Sequence, residues 1–487
     1  MRIPRLLLFL LCCTGWGLGL RANNIQVSNV ALSSQAGGSA SFTFDLSWEN
    51  SWRITAGPAN WDAAWVFAKV SVNGGAWQPM AIQTVFVNAN AADIASLSAY
   101  GFMVYRNAPG TGDINWTGLE IVWDYQEAGI DDNADLEVRL FATEMVYVPE
   151  GSYTLGNGNA DPISGSFVAY NGEFPVFPYQ GYPVDAETQL PLFFANSGLS
   201  LGYLSDGDGV PTTLPAAFPK GFGAFYTMKY EVSQQQWVDF FNTLTPTQQF
   251  NLDVTGPDGK NTDAPVNRNG VSWTTGSDAT TSLPNVPINY VPNTYVYAYL
   301  DWAGLRPMTE LEFEKASRGP LAPVPDEYVW GTTRLALGPY TVTGLGTANE
   351  LISNAAAGAG NAALSSLLTQ PGRCGIFAAS APNPNREETG GTYYGIMDMA
   401  GNLYERCISI GDPSSRAFSG QHGDGRLNTN GDANVTGWPI SNDTFSFRGG
   451  TAGSFASRAR TADRSFGNYT GAIDLQSNGI RGVISAN

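Results

Sequence analysis

From Asn23 to about Thr143, apolar and polar residues alternate with a period of two in short runs, and turn residues bound each run. Clear cases are Ser41-Phe42-Thr43-Phe44-Asp45-Leu46-Ser47-Trp48, Val66-Phe67-Ala68-Lys69-Val70-Ser71-Val72 and Leu136-Glu137-Val138-Arg139-Leu140-Phe141. That period sends successive side chains to opposite faces, so each run reads as a strand with one apolar face that needs a partner. Strands this short, separated by clusters such as Asn73-Gly74-Gly75, predict an antiparallel β-sandwich. No catalytic constellation appears within it.

Near Glu144 the pattern changes to few regular elements and long Gly, Asn and Pro loops. Two helix starts are nevertheless legible. Ser233-Gln234-Gln235-Gln236 is a capping box followed by Trp237, Phe240, Phe241 and Leu244, a core-facing stripe that stops at Thr245-Pro246. Thr309-Glu310-Leu311-Glu312 is a second capping box, ending at Arg318-Gly319-Pro320, and Tyr295 to Trp302 reads as another short helix. The expected class is α+β, organised as a secretory signal over residues 1–22, a β-sandwich over 23–143 and a loop-rich second domain over 144–487. The length of 487 residues fits two or three domains of ordinary size.

Charge narrows the function. Lys and Arg number 25 against 43 Asp and Glu, and the pI is about 4.4, so the chain repels phosphate backbones and nucleic acid is not an expected partner. With His422 the only histidine, histidine-rich iron or zinc centres have no material. The first residues carry Arg2 and Arg5, the apolar run Leu6 to Leu11 and a cleavage site after Ala22, the layout of a secretory signal. The run is too short to span a bilayer, and no later segment is apolar enough to do so. Secretion, or a periplasmic or cell-surface location, follows. An oxidising compartment would allow Cys374 and Cys407 to pair, for about 3–4 kcal/mol; the alternative is two separate buried thiols.

Further segments accumulate in order: Met145-Val146-Tyr147-Val148-Pro149-Glu150-Gly151, Tyr230-Glu231-Val232-Ser233, Gly304-Leu305-Arg306-Pro307-Met308-Thr309-Glu310, Tyr328-Val329-Trp330-Gly331, Gly395 to Glu405, Phe447-Arg448-Gly449-Gly450, Arg460 to Arg464 and Gly479-Ile480-Arg481-Gly482. Together they resemble the formylglycine-generating enzyme, or sulfatase-modifying-factor, family over about residues 144 to 487. The resemblance implies a C-type-lectin-like fold rich in irregular loops. It also implies oxidation of a substrate cysteine on copper(I) held by two thiolates after the Arg-Gly-Gly motif, where soft ligands suit that ion. Here that stretch reads Thr451-Ala452-Gly453-Ser454-Phe455-Ala456-Ser457-Arg458, with no cysteine, so copper is not expected. The resemblance further implies structural calcium held by Asp398 and Glu405 through side chains and by Gly401 and Leu403 through carbonyls, hard oxygens of the kind calcium takes. The bland alternative is that Asp398 and Glu405 make ordinary buried hydrogen bonds or pair with Arg448. A second family calcium site would fall near Asn349-Glu350.

Arg448, Arg458, Arg460, Arg464 and Arg481 either hold an anionic ligand or brace carboxylates such as Glu312, Glu314, Asp398, Glu405 and Asp463. The leading expectation is an exported pseudoenzyme, a calcium-stabilised module for binding a protein or glycan or for envelope architecture. One alternative is a metal-dependent oxidase with relocated ligands. Another is a ligand-display protein using a lectin-like C-terminal surface from Thr451 to Ser485.

Overall fold

The computed structural model describes residues 24–86, 92–159, 165–169, 179–192, 212–365, 367–439, 445–467 and 475–486. The expected signal, residues 1–22, lies outside them. The alternating runs fold as strands. Gln26–Ala36, Ser39–Arg53, Gly110–Asp124 and Thr84–Phe86 lie side by side, in that order, as an antiparallel sheet. The Ser41–Trp48 run places Phe42, Phe44, Leu46 and Trp48 on one buried face, as its period requires. Ala64, Val66, Ala68 and Val70 of the strand Asp62–Val72 enter the same apolar cluster from a second sheet.

That second sheet has ten strands and does not stop where the alternation does. Its central strand is Leu136–Val148. Residues 136 to 146 of it pair with Asp62–Val72, and residues 145 to 148 pair with the strand Phe225–Met228. Beyond Phe225–Met228 follow Gly482–Ser485, Arg306–Thr309, Glu405–Ile408 and Phe445–Arg448. The expected boundary between Thr143 and Glu144 therefore falls in mid-strand, with no linker. The reason is that Asp62–Val72 is buried on both faces: while Ala64 and Val66 point to the first cluster, Ala63, Trp65 and Phe67 point to the largest one. There Trp65 Nε1 donates to the Ala303 carbonyl at 2.8 Å and Phe67 meets Trp302 edge-on at 5.0 Å. Leu136–Val148 shows the same two-sidedness. Leu136, Val138, Leu140 and Ala142 line the first cluster and Val146 and Val148 a third, while Phe141, Met145 and Tyr147 line the largest.

Both capping boxes form. Ser233 caps the helix Gln234–Phe241, whose Trp237, Phe240 and Phe241 are buried. Thr309 caps Glu310–Arg318, which ends at Gly319 with φ of 67°. The first helix ends earlier than expected, at Phe241 with Asn242 as its C-cap, so Leu244 lies beyond it; Thr245-Pro246 instead opens another helix, Pro246–Asn251, with Thr245 as its cap. The third helix runs Asn293–Trp302. With this few helices on a large mixed sheet, the class is α+β. Among the described residues, no helix is long and apolar enough to cross a membrane.

Candidate functional site

Three of the quoted segments converge on the turn that precedes the strand Glu405–Ile408. Asp398, Gly401 and Asn402 all take the left-handed conformation, with φ of 59°, 79° and 62°. At Gly401 a Cβ would lie 2.1 Å from the Ala363 carbonyl oxygen, so only glycine fits. Its N–H donates to the Gly449 carbonyl at 2.8 Å, tying the Gly-Asn turn to the Arg-Gly-Gly segment. Glu231 clamps the turn from below: one carboxylate oxygen accepts from Asn402 Nδ2 at 2.5 Å and the other from the Leu403 N–H at 2.9 Å. Asp398 Oδ2 accepts from the Gly375 N–H at 2.6 Å. Glu405 Oε1 accepts from Arg481 Nε at 2.7 Å.

Sequence reading assigned no role to Glu231. The available signal was an acid inside Tyr230-Glu231-Val232, a run that is otherwise buried apolar. The partner of Glu405 is Arg481 and not Arg448, because Arg481 is fixed over it by donating to the Met228 and Met397 carbonyls at 2.7 and 3.0 Å. Burial, with Asp398 and Glu405 beside it, pushes the Glu231 carboxyl well above its ordinary range. Burial likewise raises Asp398 and Glu405, although Arg481 works in the opposite direction on both. All three carboxyls are raised chiefly because burial disfavours their charged form, and Arg481 only partly opposes this.

The donor chemistry at this turn suits calcium. Each of Asp398 and Glu405 has one oxygen outside the bonds just described, and no group among the described residues donates to the carbonyl oxygens of Gly401 or Leu403. Side chains alone would not form a cage: among the described residues, no three His, Cys, Asp or Glu are placed to hold a metal ion. The backbone oxygens would have to complete the set. At the second expected position, Glu350 is already taken by Arg268, with Nη1 at 2.8 Å.

After Gly450, a cavity of about 240 Å³ opens between Asn402, Leu403, Thr451, Gly453 and Gln476. It is walled by amides, hydroxyls and backbone. Ser454 Oγ accepts from the Thr451 N–H at 3.0 Å and lies 3.1 Å from the Tyr404 hydroxyl. The thiols lie elsewhere and are unpaired, so the Cys374–Cys407 disulfide does not form. Cys407 faces the cluster of Met308 and Phe313 from its strand, while the Cys374 thiol points to the Glu231 carbonyl at 3.5 Å. Burial pushes both thiols well above their ordinary value, with Glu231 and Asp398 adding to it at Cys374.

Most of the C-terminal arginines brace carboxylates. Arg448 reaches Glu314 at 2.8 Å and Glu310 at 3.4 Å, and Arg464 reaches Glu310 at 2.6 Å. Arg306 joins Glu312 at 2.6 Å, and Arg318 joins Glu314 at 3.2 Å and Glu327. Arg458 instead lies 4.0 Å from the Phe466 ring, and Asp463 is spent on Ser465. His422 Nε2 accepts from the Ser485 N–H at 2.9 Å; burial and Arg306 lower it to about 3, so it is neutral and structural.

Among curated proteins none matches this chain. Residues 137–486, most of its length, match the Sulfatase-modifying factor enzyme 1-like domain. With the Gly-Asn turn, the Arg-Gly-Gly segment and Arg481 assembled around one another as described, the chain belongs to the formylglycine-generating enzyme, or sulfatase-modifying-factor, family.

Proposed function

We propose that this protein is an exported, non-catalytic member of its family, a binding or envelope module in which an N-terminal β-sandwich is fused to a calcium-stabilised, lectin-like domain. The observation that carries the reading is the state of the thiols. Copper(I) is held by thiolates, and thiolates persist in electropositive, partly exposed surroundings. Cys374 and Cys407 are fully buried and raised, and carboxylates stand beside Cys374. The segment Thr451–Arg458 after Gly450, where the family's thiolates belong, offers the Thr451, Ser454 and Ser457 hydroxyls, Arg458 and backbone, and no thiol. Calcium in this reading sits on Asp398, Glu405 and the Gly401 and Leu403 carbonyls, where it offsets the surplus negative charge.

The test is incubation of the mature protein with copper and a Cys-containing sulfatase peptide. No aldehyde above a heat-killed control is expected; aldehyde formation would restore the oxidase reading. Export is checked by N-terminal sequencing of the released protein, expected to begin at Asn23.

A further inference from the structure

Apart from the Arg-Gly-Gly cavity, a cleft of about 500 Å³ lies where the N-terminal loop after Ser39–Arg53 meets the segment leading to Met397, its lining reaching Tyr230 and Met397, the chain neighbours of Glu231 and Asp398. Its volume is in the range of small-molecule sites. Trp52 and Asn60 come from the N-terminal side; Tyr230, Arg386, Tyr393 and Tyr394 come from the other. The aromatic wall is fixed in place. Trp52 Nε1 donates to Asn60 Oδ1 at 3.4 Å, and Asn60 Nδ2 donates to the Tyr394 carbonyl at 2.7 Å. At Gly395 a Cβ would lie 3.0 Å from the Trp52 ring, so the glycine admits the indole.

Two features of this wall are open to a ligand. Tyr230 and Tyr394 are 7% and 3% exposed, yet neither hydroxyl has a hydrogen-bond partner among the described residues. Neither oxygen is closed off from solvent, so both hydroxyls open where a ligand in the cleft could meet them. The second feature is Arg386. Its Nη2 donates to the Ser317 and Val329 carbonyls at 3.0 and 2.7 Å, its Nε is buried without a partner, and it forms no ion pair among the described residues. Lys229, 4.9 Å from the Trp52 ring, is by contrast already matched by Glu144 at 2.9 Å and Asp62 at 3.5 Å. In a chain with 43 acids and 25 bases, an arginine that lines a cleft without an ion pair, and feels Glu327 only through space, is suited to an anion.

We propose that this cleft binds a ring-shaped small molecule carrying a carboxylate, with the ring against Trp52 and the tyrosines and the carboxylate on Arg386. Either a uronic acid unit of a polysaccharide or a free aromatic acid presents that chemistry. The inference does not depend on the loss of the family's oxidase chemistry. The test is calorimetry and tryptophan fluorescence on the full chain with glucuronate, galacturonate and benzoate, against neutral glucose and benzyl alcohol. At least one acid is expected to bind and quench, with its neutral counterpart at least about tenfold weaker. Arg386→Gln should remove that preference. Tyr394→Phe, which keeps the ring and deletes only the unpartnered hydroxyl, should weaken the acid without lowering the melting temperature, and it serves as the test if Arg386→Gln does not fold. Binding of uronates alone identifies the saccharide source and binding of benzoate alone the aromatic one, and either supports the proposal. Absence of binding by every acid at about 10 mM, or equal binding of the neutral compounds, overturns it.

Discussion

Around the helix Glu310–Arg318, four glutamates face four arginines: Glu310, Glu312, Glu314 and Glu327 against Arg306, Arg318, Arg448 and Arg464. Around the turn Asp398–Glu405, three carboxylates have Arg481 bonded to one of them and Arg373 within electrostatic reach. Both groups are buried in the same half of the molecule. In the first, every charge has a counter-charge in hydrogen-bond geometry, so it can serve as a rigid brace. In the second, three carboxylates share two arginines and burial drives the carboxyls upward, so the place favours a proton or a cation. Buried acids of the same type thus serve two ends, and the number of arginines decides which.

The comparison breaks most sharply at Arg448. Replacing it with Met would leave Glu314 to Arg318 and Glu310 to Arg464, each short of one guanidinium in a fully buried setting, and should cost about 3–5 kcal/mol in urea unfolding. A loss below about 1 kcal/mol would show that the matched group is no brace. For the unmatched group, calcium at about a hundredfold excess over its Kd should add about 2.7 kcal/mol, a shift of a few degrees in melting temperature. A chelator should remove the shift, and Glu405→Gln should abolish the difference between the two conditions; equal melting curves for the wild-type protein would return Asp398 and Glu405 to ordinary hydrogen bonding.

The pH dependence sharpens the same point. Glu231, Asp398 and Glu405 have folded values above their unfolded ones. Between those values the native state holds more protons than the unfolded chain, so stability falls as pH rises. In chelator, this contribution to the melting temperature should decline from the ordinary carboxylate range toward neutrality, and calcium should flatten the decline. A chelated protein whose Glu231→Gln variant shows an unchanged pH slope would count against it. The smallest effect is expected at Arg334, which pairs with Glu387 at a surface where Arg334 is 63% exposed. Arg334→Ala should leave the melting temperature unchanged within error, since solvent screens the pair.

Local signals in the sequence were dependable where they rest on neighbouring residues. The capping boxes at Ser233 and Thr309 and the alternation through Phe42, Phe44, Leu46 and Trp48 appear in the structure where their spacing puts them. Signals that depend on distant parts of the chain were not legible. Thr245-Pro246 reads equally as a stop and as a start, and here it is a start, the preceding helix having ended at Phe241. The change of pattern near Glu144 reads as a domain boundary, yet the strand passes through it, because pairing with Phe225–Met228 is decided by residues some eighty positions away. Two cysteines give no orientation, so the setting of Cys407 in an apolar cluster and of Cys374 at the Glu231 carbonyl could not be read from spacing. Of the candidate turn, Asp398, Gly401, Leu403 and Glu405 were legible, whereas Glu231 and Arg481 needed the fold to show which carboxylate and which guanidinium meet.

The strand Leu136–Val148 also constrains how this gene can change. Its even-numbered residues serve one side of the sheet from the first cluster to the third, and its odd-numbered ones serve the other. A single codon inserted or deleted between Leu140 and Met145 would exchange those sides for everything downstream, presenting Met145 and Tyr147 where Val146 and Val148 now pack. The surrounding loops can lengthen freely across generations at little cost. Along this stretch, changes of one residue are closed to inheritance, and the N-terminal and family regions keep a common phase.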